Sequence, residues 1–241
     1  MCIEVAFSNF IDERNNDLYS FVSKYFDITL FKCVPPPDLS DFTWHLQIDR
    51  QQSRNASISY YKDSTSSSSF THELLHLKLV ALGFVDTNIL FLDYLQSKGG
   101  GIQVIPVPFV DINNAFAHQK FFSEFVEMGY AASEFTSDFF SYPDVDLRYF
   151  QIENEFHSGS FPNVSLRTFI TSFFSARDNR NQEYKERWES LLKKLKYLNP
   201  ALYAILENAW EQWVFENELN VNARIIIDLA NRVEHLFNSV A

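Results

Sequence analysis

The chain has 241 residues with a formal net charge of -11, and 46% of its residues are hydrophobic against 21% charged. Such a composition is that of a folded chain long enough to bury a core, not of a disordered one. The acidic balance argues against a duplex nucleic-acid binder, which needs a basic footprint to neutralise phosphates, and against docking on anionic membranes.

The two cysteines, Cys2 and Cys33, belong to no CxxC pair and cannot build a disulfide framework. Met1–Glu4 has neither the basic start nor the apolar run of a secretory signal. The best apolar stretch, Val80 to Leu95, is broken by Asp86, Asn88 and Asp93 and is too short to span a bilayer. The expectation is a cytoplasmic protein of a reducing compartment, with no nucleic acid and no membrane among its partners.

In chain order, Ile11 to Phe26 places Leu18, Phe21, Val22 and Phe26 at helical spacing. Pro35-Pro36-Pro37 stiffens a connector. Two strands are predicted over Trp44–Ile48 and Ala56–Tyr61, with the polar stretch Asp49–Asn55 as their hairpin loop. The serine-rich run Ser64–Ser69 reads as a loop whose last serine caps a helix over Phe70–Leu82, stopped at Gly83. A second helix is expected over Thr87–Gln96. Gly99-Gly100-Gly101 reads as a loop, because the order of a phosphate-binding GxxxxGK[ST] motif is absent. Ile102–Val110, apolar with two prolines, reads as extended or irregular. An amphipathic helix follows over Asn113–Met128, ending at Gly129. Beyond it lie helical segments at Leu166–Ala176, Gln182–Leu198, Pro200–Glu216 and Asn222–Val240. A soft boundary near Pro143–Pro162 divides a mixed part, residues 1–142, from a helical part, residues 163–241. The expected class is α+β: a small mixed or antiparallel sheet packed on an active-site helix, then a mainly helical C-terminal part.

Residues 72 to 76 read His72-Glu73-Leu74-Leu75-His76, an HExxH motif. On a helix, residues i and i+4 lie one above the other, so both imidazoles can bind one metal ion. Zinc takes such nitrogens at about 2.0–2.1 Å, and in catalytic sites it holds three protein ligands and a water. Glu73, beside the pair, can take a proton from that water and act as general base. The long form HExxHxxGxxH is excluded, since Leu79 and Leu82 stand at its glycine and third histidine positions.

The third ligand is sought on the Asn113–Met128 helix. Its apolar face carries Phe121, Phe122 and Phe125. Counting three, four and seven residues back puts His118 and Asn114 on that face, with Glu124, Glu127 and Lys120 on the other. His118 is therefore the leading third ligand, set against a core histidine satisfied by Asn114 or a backbone carbonyl. Asp111, Glu124 and Glu134 stand in reserve. His45 lies on a strand that can line a cleft, while His157 and His235 read as solvated or packed residues. Tyr60, Tyr61 and Tyr130 are candidate phenols for polarising a carbonyl. The tryptophans Trp188, Trp210 and Trp213 read as helical core.

With its preceding strand and serine loop, His72–His76 resembles the motif of the zincin metallopeptidases, the compact intracellular ImmA/IrrE-like members in particular. The resemblance covers roughly residues 44 to 130. It implies a small mixed sheet against the motif helix, a zinc ion held by His72 and His76, and peptide-bond hydrolysis with Glu73 as general base. The sequence departs from that pattern where a downstream glutamate is usual and Asn114-Ala115-Phe116-Ala117-His118 stands instead. The expected function is a zinc-dependent metallopeptidase acting on a peptide or protein, which the strand Ala56–Tyr61 would hold by β-augmentation. Two rivals are a non-catalytic zincin-like scaffold that binds a protein partner, and a metallohydrolase of small molecules with Asp86 and Asp93 near its substrate.

Overall fold

The computed structural model describes residues 2–34, 44–49, 54–61, 66–86, 90, 94–95, 107–135, 149–150, 152–154, 163–180 and 182–238. Its elements are β1 (Cys2–Glu4), α1 (Asn16–Val22), β2 (Asp27–Cys33), β3 (Trp44–Ile48), β4 (Asn55–Tyr60), α2 (Ser67–Ala81) and α3 (Phe109–Glu127). The helices α4 (Asn163–Asp178), α5 (Lys185–Leu198), α6 (Pro200–Phe215) and α7 (Asn222–Asn238) follow. The class is α+β, with a small mixed sheet and a mostly helical remainder. The chain divides into two compact units, Met1–Leu82 with Phe121–Asp138, and Gly83–Lys120 with Phe139–Ala241.

In the first unit the strand order is β1-β2-β4-β3. β3 and β4 pair antiparallel from Trp44↔Tyr60 to Ile48↔Ala56, the hairpin that the alternating pattern predicts. β2 pairs parallel with β4 through Leu30↔Ile58, and antiparallel with β1 through Cys2↔Cys33. Ala56, Ile58 and Tyr60 alternate inward along β4, as period two requires, and Leu30 and Trp44 join them on the buried face. The cross-strand pair Trp44 and Tyr60 stacks at 4.9 Å between ring centres. Phe10 closes edge-on over both rings, and Phe70 of α2 meets Phe10 and Trp44. Phe10 and Phe70 thus build an aromatic core with Trp44 and Tyr60 between α2 and the sheet.

Several expectations are corrected. Cys2 and Cys33 are joined by a disulfide across the β1–β2 pair, so the two free thiols expected of a reducing compartment are not found. The opening helix is only Asn16–Val22, because Phe26 belongs to the turn that leads into β2. The capping serine is Ser66, whose Oγ accepts from the Ser69 N–H at 3.2 Å, so α2 starts at Ser67 rather than Phe70. Phe109 and Val110 are the first residues of α3, not the end of an extended segment. Gly83 and Gly129 end their helices at φ 106° and 90°, a region glycine enters without strain. The Gly99–Gly101 loop, Asp93 and His157 lie outside the described residues, as does most of the helix expected over Thr87–Gln96.

In the second unit the expected helices form with ends shifted by a few residues. Their buried residues recur at threes and fours: Trp188, Leu191 and Leu195 on α5, Leu202, Leu206 and Trp213 on α6, Ile226, Leu229 and Val233 on α7. Trp213 stacks on Phe116 of α3 at 5.0 Å and donates its indole N–H to the Phe116 carbonyl at 2.7 Å. Buried Asn222 accepts from the Val85 N–H at 3.1 Å and donates to the Val85 carbonyl at 2.9 Å, tying α7 to the chain after Gly83. Among the described residues, no helix is long and apolar enough to cross a membrane.

Candidate metal centre

α2 is buried on most of its circumference, and its polar residues are therefore informative. His72 is 1% exposed and Glu73 7%, while His76 is half-buried. Burying an imidazole and a carboxylate is costly without polar partners or a bound cation. The helix brings His72 Nε2 to 3.2 Å from His76 Nε2. Two nitrogens bound tetrahedrally to one zinc ion at about 2.0–2.1 Å stand about 3.3–3.4 Å apart. The pair therefore already has the spacing that two ligands of one ion need.

Aromatic rings shape the surroundings of that pair. Phe121 meets His72 edge-on at 5.4 Å and His76 at 4.9 Å, and Phe135 lies 4.9 Å from His72. These walls lower the local dielectric and leave His76 the more accessible of the two imidazoles. The orientation of α2 is set one turn earlier by a polar cluster. The fully buried Asn15 amide nitrogen, with two hydrogens to donate, lies 2.9 Å from the Phe10 carbonyl, 3.1 Å from Ser67 Oγ and 2.9 Å from Thr71 Oγ1. The Tyr130 hydroxyl contacts both Ser67 and Thr71 at 2.9 Å, and the Arg14 guanidinium lies over the Tyr130 ring. Ser67 and Thr71 are i and i+4, so this cluster pins one face of the helix one turn before His72 and His76.

His118, fully buried on α3, lies one turn before Phe121, as the count along the apolar face predicts. Its ring nitrogen and those of His72 and His76 all lie within 4.8 Å of one another. These three histidines are close enough to bind a metal ion. The donor set is all imidazole, which suits zinc, copper, iron or nickel better than calcium or magnesium.

His118 has a buried carboxylate as a partner. Its Nδ1 lies 2.6 Å from Oδ2 of Asp178, and both side chains are 0% exposed. The sequence alone does not single out Asp178, because the apolar spacing ends its helix at Ala176, two residues short. A parallel pairing of α3 with α4 delivers it. Thr171 donates to Asp111 at 2.6 Å, and His118 and Asp178 each lie seven residues further along their helices, about two turns. Beyond the end of α4, burial lowers the pKa of the Arg180 guanidinium, an effect that the charge of Asp178 opposes.

The reserve residues are engaged elsewhere. Asp111 is taken by Thr171, Glu124 by Lys78 at 2.5 Å, and Glu134 by the Ala131 N–H at 2.8 Å in an exposed turn. His45 on β3 and His235 on α7 are exposed. Tyr60 is packed on Trp44, and Tyr130 belongs to the Asn15 cluster. Asp86 is half-buried after Gly83. Comparison with protein-family models, with curated proteins and with solved structures finds no match.

Proposed function

We propose that the chain is a zinc-dependent hydrolase of the zincin type, a metallopeptidase or related amide hydrolase. The observation that carries this reading is the position of His118 beside the HExxH pair, since three histidines are the protein's share of a catalytic zinc site. His72, His76 and His118 would hold the ion. When bound, zinc supplies Lewis-acid polarisation of a carbonyl and of a water molecule. Glu73, next to His72 and one turn from His76, serves as the general base: its carboxylate takes a proton and passes it to the departing amine. Phe121 and Phe135 limit bulk water around the imidazoles, which strengthens the polar interactions made there.

The test is elemental analysis joined to a peptide-library assay. The wild type should hold about one zinc per chain, and His76→Ala and His118→Ala should bind it far more weakly. Glu73→Gln should keep the metal and lose turnover by about 10²–10⁴-fold. A wild type that binds no zinc when zinc is offered sinks this reading, and a Glu73→Gln enzyme of full activity sinks the mechanism.

A structural zinc site in a non-catalytic scaffold is the second reading. It is favoured by the depth of His72 and His118, 1% and 0% exposed. The cobalt-substituted protein separates the two. An open site shifts its visible spectrum when an exogenous anion such as azide binds, whereas a site closed by a fourth protein ligand does not.

A further inference from the structure

We propose that Asp178 is a positioning residue for the histidine cluster, holding the His118 ring so that Nε2 is its metal-binding nitrogen. This inference rests on the metal reading above.

A neutral imidazole carries one N–H and one lone pair, and whatever bonds to one nitrogen decides the role of the other. An ionised carboxylate accepts and cannot donate. At 2.6 Å from Nδ1, with both side chains 0% exposed, Asp178 therefore selects the ring form that has its proton on Nδ1. The lone pair is then on Nε2, the nitrogen remote from the backbone. The same bond fixes the rotation of the ring. Its place along α3 is fixed independently by the Thr171–Asp111 bond two turns earlier, which sets the two helices in register.

Charge adds to geometry. Three neutral imidazoles around a divalent cation leave two positive charges in a buried setting. A carboxylate behind one ligand offsets part of that charge and raises the basicity of the coordinating nitrogen. Partners of this kind typically change metal affinity 10–100-fold. A purely structural ion pair in the core of the second unit would leave zinc affinity untouched except through the fold. That difference is measurable.

The experiment measures zinc affinity of the full chain by competition with a chelating dye, for wild type, Asp178→Asn, His118→Ala and the double variant. Asp178→Asn keeps the shape of the side chain and removes its charge. The expected result is binding weakened about 10–100-fold by Asp178→Asn alone, with no further loss when it is added to His118→Ala. Wild-type affinity in Asp178→Asn overturns the proposal, and so does an equal loss in the His118→Ala background, which would mark an effect on the fold. Nitrogen-15 spectra of the metal-free wild type give a second readout that needs no variant. His118 should carry its proton on Nδ1, and a proton on Nε2 alone overturns the assignment. A wild type that binds no zinc defeats the metal reading and this role together. Failure of the Asp178 assignment alone leaves a wild type that binds zinc.

Discussion

Asn15 offers the sharpest test of how the motif helix is held. Its side chain accepts from the Asp12 N–H at 2.9 Å and shares its two amide hydrogens among the Phe10 carbonyl, Ser67 Oγ and Thr71 Oγ1, all from a fully buried position. Asn15→Ala removes the accepted bond and both donor hydrogens, the equivalent of three bonds. A net intramolecular hydrogen bond is worth about 1 kcal/mol. Some partners keep a second contact: Ser67 Oγ still reaches the Phe10 carbonyl, and Tyr130 still reaches Thr71. The buried setting offsets those contacts, and the expected loss is about 3 kcal/mol, three bonds at about 1 kcal/mol each. Ser67→Ala should cost less, about 1 kcal/mol, because Asn15 still bridges Phe10 and Thr71. Asn15→Asp should cost the most, because its donor becomes an acceptor facing a carbonyl oxygen 2.9 Å away. Native-state hydrogen exchange over α2 reads the effect where it acts. A loss of about 3 kcal/mol speeds exchange through opening of that helix by about 150-fold in Asn15→Ala. Less than about a tenfold change, or Ser67→Ala matching Asn15→Ala, would refute the assignment of Asn15 as the anchor of α2.

Three further outcomes follow from single contacts. The Arg14 side chain beside Asp12, helped by the Ser67 hydroxyl, holds the Asp12 carboxyl down at about 2, against the opposing effect of burial. A depressed carboxyl stabilises the fold above its unfolded pKa of about 3.9, and that contribution is lost as pH falls toward 2. Asp12→Asn should therefore cost about 1 kcal/mol at pH 7, after allowance for solvent screening, and only a small part of that near pH 2. Urea titrations at the two pH values check this, and a cost that grows toward low pH contradicts it. Lys120 donates to the Trp213 and Glu216 carbonyls at the end of α6, with its ammonium 4.4 Å from the Trp213 ring centre, and burial lowers its pKa. Lys120→Met should cost about 2 kcal/mol, two charge-assisted bonds less the relief of a desolvated ammonium, and an unchanged melting temperature would show that the relief is as large as the bonds. The Cys2–Cys33 disulfide joins residues 31 apart in sequence. By the chain-entropy model Cys33→Ser should lower stability by up to about 4 kcal/mol, and equal urea midpoints for oxidised wild type and variant would show that the bridge adds nothing.

Much of the local structure is legible in the sequence because its causes are local. The serine cap and the glycine stop bracket α2. Period two marks β3 and β4, and period 3.6 marks the helices from α3 onward. The same period puts His118 on the face shared with Phe121, and it needs nothing beyond the spacing of Asn114-Ala115-Phe116-Ala117-His118. HExxH is of this kind too, since i and i+4 meet on any helix.

What the spacing leaves open was decided by contacts between distant residues. β2 escapes a pattern reading because only Leu30 and Cys33 are buried along it, and its place in the sheet comes from a parallel ladder with β4. The disulfide depends on Cys2 and Cys33 standing opposite each other on paired strands, which no spacing of two cysteines reveals. Asn15, a polar residue at the start of a short helix, becomes an anchor only when Ser67 and Thr71 reach it across more than fifty residues. Asp178 meets His118 across sixty residues, through the register of two helices. A helical or strand period records which side of an element is apolar, and that is a property of a few consecutive residues. Which buried polar groups share a proton or an ion depends on where whole elements pack, and the physical reason lies there. In this chain the two outer histidines of the motif were written into one turn of helix, whereas the carboxylate behind the third was settled by the tertiary structure alone.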